Sequence, residues 1–155
     1  MPNDNDKTIR NKIKAILQPS YPEAVIYPFN ALSHDLADWP GLFRTDGVPI
    51  HGWTIKRSES SSEYKTIVKT RDVFAYDVWA FYGFRAGGSE TNNSDDEFGE
   101  ILDTAFEALK AKPTLDLDGV IDRHDLLQFA RITTVNCGEE TLHFAAGRLS
   151  VHLCC

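Results

Sequence analysis

Asp72-Val73-Phe74-Ala75-Tyr76-Asp77-Val78-Trp79-Ala80-Phe81-Tyr82-Gly83-Phe84 is the stretch whose reading decides the fold. Successive side chains on a strand point to opposite faces of the sheet. Phe74, Tyr76, Val78, Ala80 and Tyr82 therefore share one side, and Val73, Ala75, Asp77, Trp79 and Phe81 share the other. In a sheet with one wet face the second set is polar. Here it is mostly apolar, so both faces of this strand need a cover.

The segments around it supply candidates for that cover. Ile9, Ile13, Ile16 and Leu17 recur at helical spacing, Asp6 stands where an N-cap belongs, and Pro19 and Pro22 bar continuation; this predicts a helix over 6–17. Ser94 and Glu97 have the spacing of a capping box, followed by Phe98, Ile101, Leu102, Ala105 and Leu109 on one stripe and Pro113 beyond. That predicts a helix over 94–112. Further strands are expected near 24–29, 51–57, 126–136 and 142–153, with Gly138-Glu139-Glu140 turning the last pair into a hairpin. Residues 30–50, with Trp39-Pro40-Gly41, Asp46-Gly47 and Pro49, read as a long ordered loop, and Ser58–Ser62 as a polar hairpin tip or flexible loop. The order is that of an α+β domain covering residues 1–155. Its sheet is expected to be mainly antiparallel, with two helices packed on one face.

Composition narrows the class. A chain of 155 residues with 42% hydrophobic and 25% charged residues has ordinary globular values. Its net charge of −7, from 23 acidic against 16 basic residues, disfavours a nucleic-acid partner. No apolar run approaches the ~18 residues needed to span a bilayer, so no membrane partner is expected. The polar, acidic start Met1-Pro2-Asn3-Asp4 is unlike a secretory signal, and synthesis and folding in a cytoplasm are expected. Three cysteines, Cys137, Cys154 and Cys155, form neither a disulfide framework nor a zinc spacing and are expected as free thiols.

Motifs for chemistry are sparse. Five histidines, at 34, 51, 124, 143 and 152, make no metal-binding helical spacing, and His143 and His152 fall on opposite faces of one strand. His34, Asp35 and Asp38 lie in a turn-rich segment where such residues cap turns. No nucleophile elbow, phosphate-binding loop or dinucleotide fingerprint is present. The sequence reads as a structural protein rather than an enzyme, with no cofactor. One alternative rests on the acidic turn 116–125. Placing Gly119 at the sixth position of a calcium loop puts Asp116, Asp118 and Asp125 at positions three, five and twelve. Against it, the first position is the neutral Thr114, and the exit segment carries the β-branched run Ile132-Thr133-Thr134-Val135. The alternative function is a calcium- or small-ligand-binding module built on those three carboxylates.

The order of several segments resembles the tail terminator and tail completion (head-tail joining) proteins of long-tailed bacteriophages. The segments are the opening helix, Gly52-Trp53-Thr54-Ile55, Tyr76 to Phe84, the Asn92-Asn93-Ser94 helix start with Phe98, and Leu142 to Val151. The similarity runs over roughly residues 6–153. It implies a virion protein of the tail and neck that assembles with itself as a ring, usually a hexamer. The ring caps the tail tube protein and joins the tail to the neck or connector protein. In that setting a neighbouring subunit is a second possible cover for the apolar strand. Trp53, Trp79, Phe81 and Trp39 become the candidate interface residues, and segments 30–50 and 58–71 the candidates for reaching adjacent subunits.

Overall fold

The computed structural model describes residues 4–64, 66–67 and 69–154. Helix α1 (Asp4–Leu17) is followed by strand β1 (Val25–Tyr27), a short helix α2 (Trp39–Leu42), and the paired strands β2 (His51–Tyr64) and β3 (Thr70–Gly83). Helix α3 (Ser94–Lys110) then leads to β4 (Ile121–His124), β5 (Gln128–Cys137) and β6 (Glu140–Leu153). The strands form one sheet in the order β1-β2-β3-β6-β4, with β5 also on β6. All pairs are antiparallel except β1 with β2, which is parallel. The expected α+β class holds, and the sheet is mixed, mainly antiparallel with one parallel pair.

The parallel pair explains the long loop. Two neighbouring parallel strands cannot be joined by a tight turn; the chain must cross over a face of the sheet, which takes about a dozen residues or more. Residues 28–50 make that crossing. Where sequence suggested a loop reaching outward, the structure lays it on the sheet.

The two faces divide as the alternation of β3 requires. On one face, Tyr76, Val78 and Ala80 of β3 join Trp53 and Ile55 of β2 and Ala145, Leu149 and Val151 of β6. Against them pack Ile9, Ile13 and Leu17 of α1 and Phe98, Leu102, Ala105 and Leu109 of α3. Each fully buried Ile, Leu, Val or Phe among them contributes roughly 1.5 to 3 kcal/mol. On the other face, Phe81, Phe144, Leu142 and Cys137 meet Phe43 and Ile50 from the crossing loop. Phe43 stacks on Phe81 with ring centroids 4.9 Å apart. That approach needs Gly52: a Cβ there would lie 1.9 Å from the Phe43 ring.

Both helix starts differ in detail from expectation. The first helix begins at Asp4, so Asp6 is inside it; its carboxylate accepts from Arg10 one turn on and from the Tyr76 hydroxyl at 3.0 Å. At α3 the cap is Asn93, whose side-chain oxygen accepts from the Asp96 N–H at 2.8 Å. Ser94 instead shares a 2.9 Å hydrogen bond with His143 Nε2, and Glu97 holds Arg85 and the Tyr82 hydroxyl. A serine beside an asparagine offers two equally good caps, and the tertiary partner His143 drew Ser94 away.

At the other end of α3, His124 accepts the Leu126 N–H on Nδ1 at 3.1 Å, so Nε2 carries the proton and donates to the Leu109 carbonyl at 2.8 Å. It thereby gives a second donor to a carbonyl of the last turn, which also accepts from the Lys112 N–H at 3.0 Å. Leu126 sits at φ 63°, and the break there separates β4 from β5 along the same side of β6.

Candidate assembly surfaces

Of the four aromatic residues expected at an interface, two are fully buried within this chain. Trp53 stacks on Tyr21, with ring centroids 5.9 Å apart, and donates its indole N–H to His51 Nε2 at 2.9 Å. Burial pushes the His51 imidazole down to about 4, the neutral state that accepting this hydrogen bond requires. Phe81 lies between Phe43 and Phe144, with the edge of Trp39 against it. Neither can touch a neighbour in the folded chain, which corrects the expectation for both. Sequence alternation reported that these faces are covered; it could not tell an intramolecular cover from an intermolecular one.

Trp79 and Trp39 are half-buried. Trp79 meets Phe144 edge-on, and Trp39 donates its indole N–H to the Ser33 carbonyl at 3.0 Å. Between them lies a depression of about 320 Å³, bordered also by His34, Thr54, Lys56 and Asp77. Asp35 caps the 3-10 turn Leu36–Asp38 and Ser33 donates to Asp38, so this acidic segment serves its own turn.

The acidic turn is likewise occupied by its own chain. Asp116 pairs with Lys112 at 3.2 Å, Asp118 accepts from Thr114 at 2.5 Å, and Asp125 accepts from His152 at 2.9 Å and pairs with Arg123. Burial raises the Asp125 carboxyl, but the His152 hydrogen bond and the His152 and Arg123 charges outweigh it and hold it below the usual range. Ile121–His124 is a strand, which draws Asp125 away from Asp116 and Asp118. Among the described residues no three histidine, cysteine or acidic groups converge on one metal position.

The exposed apolar groups lie elsewhere. Ser58–Ser62, expected as a tip or flexible loop, continues β2 as regular strand to Tyr64. The hairpin therefore extends past the last residue of β6: Val73 is opposite His152, while Tyr64 is opposite Thr70. Near its end Tyr64 is 79% and Ile67 95% exposed. Serines are weak strand formers, so the polar run gave no strand signal; pairing with β3 determines its conformation.

This arm is held at its root by charge. The Arg71 guanidinium, mostly buried, pairs with Asp122 of β4 at 2.9 Å and lies 3.6 Å from its cross-strand neighbour Glu63. His152 Nδ1 lies 3.5 Å from the same Glu63 oxygen. At the opposite side of the sheet β5 is an edge strand, with Ile132 62% exposed. Compared with known families and with curated proteins, the chain matches no family model and no curated sequence.

Proposed function

We propose that this chain is a structural subunit of a bacteriophage tail: a tail terminator that assembles as a ring, caps the tail tube and joins it to the neck or connector. The observation that carries the reading is the β2–β3 arm. Tyr64 and Ile67, 79% and 95% exposed, are the most exposed large apolar side chains among the described residues and stand at the end of a two-stranded projection, where they add nothing to the core of their own chain. Exposed apolar groups so placed suit a protein that completes its packing on another subunit. The depression between Trp39 and Trp79 is a second place for a partner to dock.

Light scattering and electron microscopy test the reading directly. The expected result is ring particles with a mass near six times 17.4 kDa, formed alone or on purified tail tubes. A chain that stays monomeric at high concentration and does not sediment with tail tubes would overturn it.

A further inference from the structure

We propose that neighbouring copies of this chain join edge to edge, the outer edge of β2 from Ser58 to Tyr64 pairing antiparallel with the outer edge of β5 from Gln128 to Asn136. The inference rests on the ring reading above and names the surface that closes it.

Among the described residues both edges are open: on β2 the outer side is occupied only at Gly52–Thr54, by β1, and β5 pairs only with β6. Among the described residues no other backbone hydrogen bond reaches either outer edge. Unpaired edges recruit strands, and proteins that need to remain alone blunt them with lysine or proline. Neither Ser58–Tyr64 nor Gln128–Asn136 contains one, and the second carries Ile132-Thr133-Thr134-Val135, a run well suited to pairing.

The directions fit a ring. Strands β2 and β6 are both antiparallel to β3 and so run the same way; β5 runs against β6. The two open edges therefore lie on opposite sides of one sheet and run in opposite directions. A neighbour placed beside this chain the same way up presents its β2 antiparallel to β5, with no inversion. This is a heterologous contact, the kind that generates rings. Because the open part of β2 lies farther along the strand direction than β5, the joined strands tilt relative to the ring axis, as strands do whenever a sheet closes.

The side chains agree with that placement. Tyr64 and Ile132 project from the helix-covered face, since their ladders lead to Thr70 and to Ala145 and Ala80. Glu59, Glu63 and Arg131 project from the other. Arg131 is exposed and joins none of the ion pairs among the described residues, while Glu59, which pairs with Arg148, and Glu63, which lies beside Arg71, each remain about half exposed. Opposite charges facing across two strands favour the pair. With Glu63 opposite Arg131, Ser61 falls opposite Thr133.

Cysteine cross-linking tests this on the full chain, with Cys137, Cys154 and Cys155 replaced and Ser61→Cys and Thr133→Cys introduced singly and together. Within one chain these positions are three strand spacings apart, at least ~14 Å, too far for the ~7 Å limit of a disulfide. Oxidation or a short bis-maleimide is expected to give a covalent ladder rising to the ring number in the double variant, and none above background in either single variant. Rings seen by scattering without a ladder would overturn the edge pairing and leave the ring reading standing. Monomers without a ladder at high concentration would overturn both. Dimers from a single variant alone would replace this contact with a self-complementary one.

Discussion

The two ends of the β2–β3 hairpin are built from the same two strands and held by opposite means. At the end near His51 and Gly83, one face lies under α1 and α3 and the other under Phe43 and Trp39, so packing holds it. At the Tyr64 end Ser58–Tyr64 are exposed along both faces. There the hairpin depends on its own ladder, on Arg71 with Asp122 and Glu63, and on the Glu59–Arg148 pair. The covered end specifies the fold, while the bare end is left available to a partner.

Substitutions at the two ends should separate accordingly. Phe81→Ala empties the space between Phe43 and Phe144, and urea denaturation should show a loss of about 3 to 5 kcal/mol. A loss below ~1 kcal/mol would mean that the crossing loop packs only loosely. Acidification should act on the covered end next. With its folded pKa at about 4 against an unfolded value of ~6.5, His51 takes up a proton first in the unfolded chain. Its contribution is complete above ~pH 6.5 and is lost as the pH falls toward 4, a decline on the order of 3 kcal/mol. Burial also lowers His143, against the opposing charges of Asp95 and Glu97, and adds in the same direction. In His51→Gln, whose amide oxygen can accept the Trp53 N–H, thermal melts across that range should show a shallower decline.

At the bare end the effects shrink. Asp122→Ala takes the nearest carboxylate from the mostly buried Arg71 and should cost about 1 to 3 kcal/mol. Hydrogen exchange should then rise in residues 70–73 before it rises under α3. Smallest of all, Tyr64→Ala with Ile67→Ala should leave stability within ~0.5 kcal/mol while reducing ring formation or tube binding. Unchanged assembly in that double variant would remove the arm from the interface.

Sequence reasoning reached the covered end better than the bare one. The alternation in β3 placed Tyr76, Val78 and Ala80 on one face and Phe81 on the other, and the α3 stripe placed Phe98, Leu102 and Leu109 in the core, because burial writes itself into hydrophobic period. Three features left no such mark. The short strand Ile121–His124 is held by pairing with residues 151–153, about thirty positions away. The parallel register of β1 depends on where a loop crosses. The extension of β2 through Ser58–Ser62 follows from β3 opposite it, not from its own composition. Trp53 and Phe81 were misread for a related reason: a large aromatic on a two-faced strand has the same pattern whether its own chain or another covers it. Trp53 gave one usable sign, since His51 two residues earlier shares its face, and a buried indole N–H needs an acceptor.

The contact between Gly52 and Phe43 binds two distant parts of the sequence into one shared volume. The ring occupies the place a side chain at position 52 would fill, so neither position can change size independently. Gly52→Ala alone should displace the crossing loop, and a smaller residue at 43 alone should leave a void, yet the two changes together can restore the fit. In a lineage of such chains, positions 43 and 52 would drift as a compensating pair, a record in sequence of where the loop meets the sheet.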